Sequence, residues 1–332
     1  MNAMFQRVLL MAGLFWCVTG CTKSEPVVAL KDGTTRVKLA LNWFPECEHG
    51  GFIAGDVHGH FSARDLDVEI IPGAVGAPQQ VIADLASGRI LFAVSDADNV
   101  VKARSRGAKL VAVMAAMQNS PRCIMVHEAA GIDRLEDLAN LELAISESRP
   151  FALWMKRKLP LTNVTMIPFS GSVAEFLTKP KFAQQAYVFS EPFVAREKGG
   201  DPKTLMVSDL GFNPYASLLV TTEEAIQTQP DLVKQVVDGC LEGWQTYLQD
   251  ATQTNQAIHS MNDGMSIAAL EFGVSAMRPL CLPEESTKLG EMSLTRWQTL
   301  VSQIEEVGEI EAGSVKAEDC FSTKFLPESG EK

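Results

Sequence analysis

The sequence predicts an α/β fold, because short apolar segments typical of strands alternate with amphipathic segments typical of helices. The chain has 332 residues, of which 46% are hydrophobic, as expected of a folded globular protein. Without a leader of about 20 residues, enough sequence remains for two lobes with a core each. The last third changes character and is predicted to be mainly helical.

The elements follow one another in a regular order. Strands are expected at 37–41, 68–71, 90–94, 110–117, 124–127, 143–146, 164–168, 186–189 and 217–220. A helix is predicted at 78–87, since Pro78 suits a first turn and Gly88 follows the last apolar position. A second helix is expected at 98–106, and long amphipathic helices are predicted from Pro230 and from Leu294.

The first 20 residues have the layout of a signal peptide. Arg7 gives a positive start, and an apolar run at 8–18 is shorter than the roughly 20 residues that span a bilayer. Small residues then lead to Cys21, as in the lipobox of bacterial lipoproteins. We therefore predict export, lipidation at Cys21 and a polar tether at 21–35. The alternatives, an ordinary secretory signal or an uncleaved anchor, place the remaining chain on the same outer side of the membrane.

Charge and cysteine content exclude several classes of protein. The formal net charge of -12 argues against nucleic-acid binding, which needs a basic face. It does not exclude a small anionic ligand, because the electrostatic field at the binding site determines which charge binds there. The cysteines beyond the signal region are Cys47, Cys123, Cys240, Cys281 and Cys320. Their odd number and wide spacing predict no disulfide framework, although they do not exclude a single disulfide bond outside the cytoplasm. No metal site and no cofactor are expected.

Polar and aromatic residues follow the predicted strands, and ligands of open α/β sheets bind beyond the carboxyl ends of the strands. The segment after the first strand, 42–51, combines a large aromatic residue, two acids, a histidine and two glycines. Gly76 precedes a helix whose first N–H groups are free to bind. The candidate ligand-contacting residues are Asn42, Trp43, His49, Gly76, Ser95, Asp96, Asp98, Glu191 and Tyr215.

Most of these residues also fit a purely structural role. Ser95 and Asp98 suit the N-cap of the next helix. Trp43 suits core packing, and His49 suits a satisfied surface or core histidine. Glu191, directly before a proline, suits a solvated turn.

Four stretches together resemble the substrate-binding proteins of ABC importers, in the family that includes thiamine-pyrimidine-precursor binders and fungal pyrimidine synthases. They are LNWFP at 41–45 with HGG at 49–51, ADLASG at 83–88 with LFAVS at 91–95, VKARSRG at 101–107 with LVAV at 110–113, and GIDRLEDL at 131–138. The resemblance runs from residue 37 to about residue 250. Glu191 lies where members of that family often carry a ligand-facing acid.

The resemblance implies a two-lobe periplasmic-binding-protein fold of type II, in which each lobe is a mixed, mostly parallel sheet flanked by helices. Lobe one is expected at 36–124 and 221–332 and lobe two at 125–220, joined by two hinge segments. The ligand is expected in the cleft between the lobes, which closes over it. The implied partners are a permease with its ATPase and, through the lipid anchor, a membrane.

The fungal synthases in the same family imply an enzymatic alternative. In those enzymes a lysine that holds pyridoxal phosphate and a histidine four residues later follow the second-motif strand. Ser95 and Asn99 occupy the matching positions here. Serine forms no Schiff base, so we expect a binding protein and not an enzyme.

The ligand is expected to be a flat nitrogen heterocycle such as a thiamine-pyrimidine precursor. Trp43 offers a stacking face, with Phe44 or Tyr215 as a second one, and Asp96, Asp98 and Glu191 accept hydrogen bonds from amino groups. An anion such as an alkyl sulfonate or nitrate remains an alternative, with Arg149 as its candidate contact. A sensor or a binding protein without a permease is a third possibility.

Overall fold

A computed structural model describes residues 27–74, 76–284 and 288–327. The predicted signal peptide and Cys21 lie outside the described residues. The strands, numbered in chain order, are β1 (Val27–Ala29), β2 (Thr35–Ala40), β3 (Leu66–Ile71), β4 (Phe92–Ser95), β5 (Leu110–Met117), β6 (Arg122–His127), β7 (Glu142–Ala144), β8 (Thr165–Ile167), β9 (Phe182–Tyr187), β10 (Pro202–Met206) and β11 (Ala216–Thr222).

The helices surround these strands. They are α1 (Gly50–Val57), α2 (Ala77–Ala86), α3 (Ala97–Ser105), α4 (Pro150–Lys158), α5 (Ala174–Thr178), α6 (Glu191–Glu197), α7 (Glu223–Thr228), α8 (Pro230–Gln249), α9 (Thr252–Met261), α10 (Ile267–Cys281) and α11 (Leu294–Glu306). No helix within these described ranges is long and apolar enough to cross a membrane.

The strands form two sheets, and each sheet with its helices is one lobe. The first sheet has the order β1-β2-β4-β11-β5, with β3 also paired to β2, and the second has the order β10-β6-β9-β7-β8. Both sheets are mixed, as predicted. Parallel pairing does not predominate, because β11 runs antiparallel to both its neighbours and β6 does the same in the second sheet.

The strands that enter and leave the second lobe correct the predicted boundaries. β6 lies wholly in the second sheet, although the expected boundary at 124 would divide it. β11 pairs with β4 and β5 of the first sheet, although 217–220 was expected in lobe two. The two crossing segments are therefore 118–121 and 211–215. Backbone pairing determines these boundaries, and the apolar pattern of a strand does not reveal which sheet it joins.

The predicted tether at 21–35 is partly folded. β1 pairs antiparallel with the start of β2, so residues 27–29 extend the first sheet. Val27 and Val28 suit a short edge strand, which explains why this polar segment does not remain a free linker over its described length.

Helix α8 packs against the sheet of the first lobe. Its buried side includes Val233, Val236, Trp244 and Leu248, which join one hydrophobic cluster with residues of β2, β4 and α1. The sequence predicted this helix from the same apolar stripe. The cluster forms a rigid support beneath the segment that follows β2.

Candidate functional site

Five carboxyl groups come together at the boundary between the lobes. Glu46 and Glu48 follow β2, Asp96 and Asp98 begin α3, and Glu191 begins α6 in the second lobe. The four acids of the first lobe are each at most 9% exposed. Their charges act on one another and on Glu191, which shows that they form one cluster.

Arg122, the first residue of β6, provides the main positive charge within this cluster. Its Nη2 donates to the hydroxyl of Tyr187 at 3.0 Å and lies 3.7 Å from Oδ2 of Asp96. The guanidinium also lies over the rings of Phe151, at 4.5 Å, and Tyr187, at 5.0 Å. Two aromatic contacts and two polar contacts therefore hold Arg122 in one orientation.

Asp96 links the lobes and does not cap its helix. It is the N-cap residue of α3, yet its side chain makes no capping hydrogen bond. It accepts instead from the amide of Ser217 at 3.3 Å and from the hydroxyl of Tyr187 at 3.4 Å. Since Tyr187 ends a strand of the second sheet, this hydrogen bond of Asp96 joins the two lobes.

Ser217 holds the acidic loop in place from the start of β11. Its φ of 51° is in the left-handed region that residues other than glycine rarely adopt. In this conformation its amide faces Asp96, and its Oγ donates to the carbonyl of Glu48 at 2.7 Å. Backbone strain at this position therefore serves the geometry of the site.

His49 is completely buried and orders the same loop. Its Nδ1 accepts from the amide of Glu46 at 3.4 Å, so Nε2 carries the proton and donates to Oδ1 of Asn42 at 2.9 Å. Burial lowers the pKa of His49 to about 3. The approach of Nε2 to Oε1 of Glu48, at 3.2 Å, is therefore not an ion pair, because the imidazole is neutral.

The two glycines after His49 serve packing. A Cβ on Gly50 would lie 2.0 Å from the ring of Tyr247, and one on Gly51 would lie 2.0 Å from the ring of Trp244. Only glycine lets α1 approach α8 this closely. Gly50 and Gly51 therefore help to position the segment that carries Glu46 and Glu48, and contact of His49 with a ligand stays a prediction.

Burial and like charge raise the pKa values of several of these acids. Burial, with the neighbouring charge of Glu191, raises the pKa of Glu46 to about 8. The pKa of Glu48 is raised well above its usual value by burial and by Glu46. Burial also raises the pKa of Asp96 and that of Glu191. Glu191 is therefore not a solvated turn residue, and it accepts from the amide of Tyr187 at 2.8 Å.

The remaining candidate residues differ in how far they are buried. Ser95 is fully buried, with Asn99 Nδ2 at 3.5 Å from its Oγ. Trp43 is 37% exposed and packs edge-on against Phe44. Gly76 is exposed at the N-cap of α2.

Tyr215 is not brought into the cluster. Its ring packs against Trp297 and lies 3.8 Å from the guanidinium of Arg296, and its hydroxyl accepts from the amide of Ser293. Its expected role as a second stacking face has no support from this placement.

The sequence analysis missed Arg122, Tyr187 and Ser217. An arginine at the head of an apolar strand was a usable signal for Arg122, since a charge rarely begins a buried strand without a partner. The described part of the chain contains no group of three or more His, Cys, Asp or Glu that could hold a metal. Its five cysteines are buried free thiols.

Comparison with known proteins places the chain in a family. A sequence profile of the family described as NMT1/THI5 like matches residues 46–254, which is more than half of the chain. The chain belongs to the NMT1/THI5-like family. It is 20% identical over 299 residues to the formylaminopyrimidine-binding protein of Halalkalibacterium halodurans, a match that covers 86% of this chain and 89% of the relative.

Two further relatives extend the comparison. The riboflavin-binding protein RibY of Chloroflexus aurantiacus is 23% identical over 216 residues, or 63% of this chain and 61% of RibY, so less than two thirds of RibY is matched. The periplasmic aliphatic sulphonate binding protein SsuA of Escherichia coli superposes with a TM-score of 0.68 at 15% identity, over 86% of this chain and 91% of SsuA. The fold is that of periplasmic binding proteins.

Proposed function

We propose that the chain is the substrate-binding lipoprotein of an ABC importer and that it captures a small nitrogen heterocycle with amino groups between its lobes. The observation that carries this proposal is the convergence of five carboxyl groups from both lobes into one cluster, which also contains Arg122. A buried carboxyl needs a hydrogen-bond donor or a cation, and ring amino groups supply donors.

The same cluster argues against an anionic ligand. A sulfonate or nitrate site needs an excess of Arg, Lys or free N–H groups. Here the guanidinium of Arg122 is already engaged by Asp96 and Tyr187. Arg149, the candidate anion contact, is half-buried and acts on Asp96 and Tyr187. The sulphonate-binding relative therefore supports the fold and not the ligand.

Trp43 supplies the proposed aromatic face. It follows β2 on the segment that leads into Glu46, and the amide of Gly73 donates to its carbonyl at 3.0 Å. A Cβ on Gly73 would lie 2.5 Å from that carbonyl oxygen, so the two loops meet without space for a side chain. This close contact fixes the backbone of Trp43 while its indole stays partly exposed.

A ligand panel tests this proposal. The purified chain without its signal peptide would be titrated with formylaminopyrimidine, the hydroxymethyl aminopyrimidine precursor of thiamine, riboflavin and ethanesulfonate, followed by melting temperature and calorimetry. We expect an aminopyrimidine to stabilise the chain by about 2.7 kcal/mol at 100 times its Kd. Stabilisation by ethanesulfonate alone would refute the proposed ligand class.

The anchor and the importer role have their own tests. The Cys21→Ala variant is expected to leave the membrane fraction and appear among soluble exported proteins, whereas Cys47→Ala, a variant at a buried thiol, is expected to stay anchored. Uptake of the labelled ligand by the cells is expected to disappear when the gene that encodes the chain is deleted. A ligand recovered chemically altered from the purified chain would favour the enzymatic alternative.

A further inference from the structure

The carboxyl cluster carries more acid than its cations can neutralise. Of the five carboxyl groups in the cluster, the charge of Arg122 acts on those of Glu48, Asp96, Asp98 and Glu191. Arg149, at the edge of the cluster, is the other cation whose charge acts on Asp96. An isolated ionised carboxylate is strongly disfavoured away from water. The five acids therefore do not all carry a negative charge while the lobes enclose them.

Two of these acids face each other across the boundary between the lobes. Glu46 belongs to the first lobe and interacts with the charge of Glu191 and with the side chain of Ser190, both at the start of α6 in the second lobe. Burial, with Glu191, raises the pKa of Glu46 to about 8. The contact between the two lobes at this point therefore contributes to the raised pKa of Glu46.

Asp98 gives an independent indication of a ligand. It is only 5% exposed and lies beside Asp96 and Arg122. Within the described residues, its one hydrogen bond comes from the amide of its neighbour Asn99, at 3.0 Å. A buried carboxylate with no side-chain donor leaves acceptor capacity for a group from outside the chain.

We infer that the carboxyl cluster holds protons while no ligand is bound and that the ligand enters as a cation which replaces them. This inference rests on the proposed function and deepens it by naming the charge of the ligand. On binding, a carboxylic O–H bond breaks, its proton passes to the buffer, and the carboxylate that remains pairs with the cation.

The chain without ligand is expected to respond to pH. A carboxyl whose pKa is raised by closure favours the closed form at low pH. That advantage is lost as pH rises from the usual glutamic acid value of about 4.5 to about 8 and changes little above it. The lobes are therefore expected to separate over this range.

Other charged and titratable groups face the cluster. They are Cys47, Glu48 and His49 on the same segment, Asp96 and Asp98 of α3, Arg122 of β6, Arg149 before α4, Tyr187 of β9, Glu191 of α6, Tyr247 of α8 and Cys281 of α10. His49 stays neutral over this range because its pKa is about 3.

The first test needs no ligand. X-ray scattering of the chain without its signal peptide, from about pH 5 to about pH 9, is expected to show a radius of gyration that rises towards pH 8 and then levels. Glu46→Gln removes this charge and is expected to flatten the rise. Glu136→Gln, at an exposed ion pair, is expected to follow the wild type. A pH-independent radius in the wild type, or an unchanged rise in Glu46→Gln, would overturn the inference.

The second test uses a matched pair of probes, the planar cation benzamidinium and its neutral analogue benzamide. Calorimetry in buffers of different ionisation enthalpy is expected to show proton release with benzamidinium only. Its affinity is expected to rise by up to about tenfold per pH unit below pH 8 for each proton released. Equal behaviour of the two probes would overturn the inference.

The two proposals fail in different ways. If no aminopyrimidine binds but the binding of benzamidinium still makes the protein release protons, the proposed ligand class is wrong and the inferred exchange of protons for a cation stands. If an aminopyrimidine binds without releasing a proton, the cation exchange is wrong and the proposed function stands.

Discussion

The two lobes contribute unlike groups to one cluster. The first lobe supplies Glu46, Glu48, Asp96 and Asp98, on a loop and a helix start that the packing of glycines fixes in place. The second lobe supplies the guanidinium of Arg122, the phenol of Tyr187 and the carboxyl of Glu191. The excess of acid thus lies in the first lobe and the group that orients it lies in the second, so neither lobe forms the site alone.

Removing the cation of the second lobe is the strongest way to break this arrangement. Arg122→Met removes both the charged partner of Asp96 and the donor to Tyr187, and it is expected to lower the free energy of unfolding by about 3–5 kcal/mol, because removal of one partner from a buried pair is strongly destabilising. Urea unfolding measures this loss. Arg134→Met, at an exposed pair with Glu136, is the control and is expected to unfold like the wild type. Equal stability of both variants would contradict the role of Arg122.

A change in the first lobe separates binding from stability. Asp98→Asn keeps the shape of the side chain and removes a charge that no side chain in the described ranges pairs at hydrogen-bond distance. We expect affinity for the ligand to fall by about 10- to 100-fold, or roughly 1.5–3 kcal/mol, with little loss of stability. Calorimetry and urea unfolding on one preparation measure both, and unchanged affinity would remove Asp98 from the site.

Trp43 tests the aromatic face of the first lobe. Trp43→Ala is expected to weaken binding by about 10-fold, since stacking contributes roughly 0.5–1.5 kcal/mol beyond the area that it buries. The fold is expected to persist because the indole is 37% exposed. Phe44→Ala is the matched comparison at the neighbouring exposed ring. A larger loss of affinity in Phe44→Ala would assign the stacking role to Phe44.

Ser217 gives the smallest expected effect. Ser217→Ala loses the hydrogen bond to Glu48 and is expected to cost about 1 kcal/mol of stability. Ser217→Gly loses the same bond but adopts a φ of 51° without strain, so it is expected to be at least as stable as the alanine variant. Thermal unfolding compares them. A less stable glycine variant would show that strain at this position is negligible.

Strands with continuous apolar sequence were well predicted. β5 was expected at 110–117 and is found there, because all eight of its residues are buried and apolar.

β9, in contrast, was expected at 186–189 and is found at Phe182–Tyr187. Gln184 and Gln185 interrupt its apolar pattern, yet both are buried, and Gln185 accepts from the amide of Ser146. That contact depends on tertiary structure, so the strand pattern alone could not locate β9.

Part of the carboxyl cluster was predictable from strand ends. The rule that ligands bind beyond the carboxyl ends of strands selected Asn42, His49 and Asp96, and the structure places all three in or beside the carboxyl cluster. Their contact with a ligand stays a prediction. Arg122 was missed because its position depends on which sheet β6 joins. The expected boundary at 124 left Arg122 in the first lobe, where it would not face Asp96 across a cleft.

A crystal structure of the chain with the tightest-binding aminopyrimidine of the panel tests the central claim most directly. We expect the ring nitrogen groups within hydrogen-bond distance, about 2.7–3.2 Å, of carboxyl oxygens of Asp96, Asp98 or Glu191, with the ring plane against Trp43. A ligand bound elsewhere, while these carboxyls keep only the protein contacts that they have now, would contradict it.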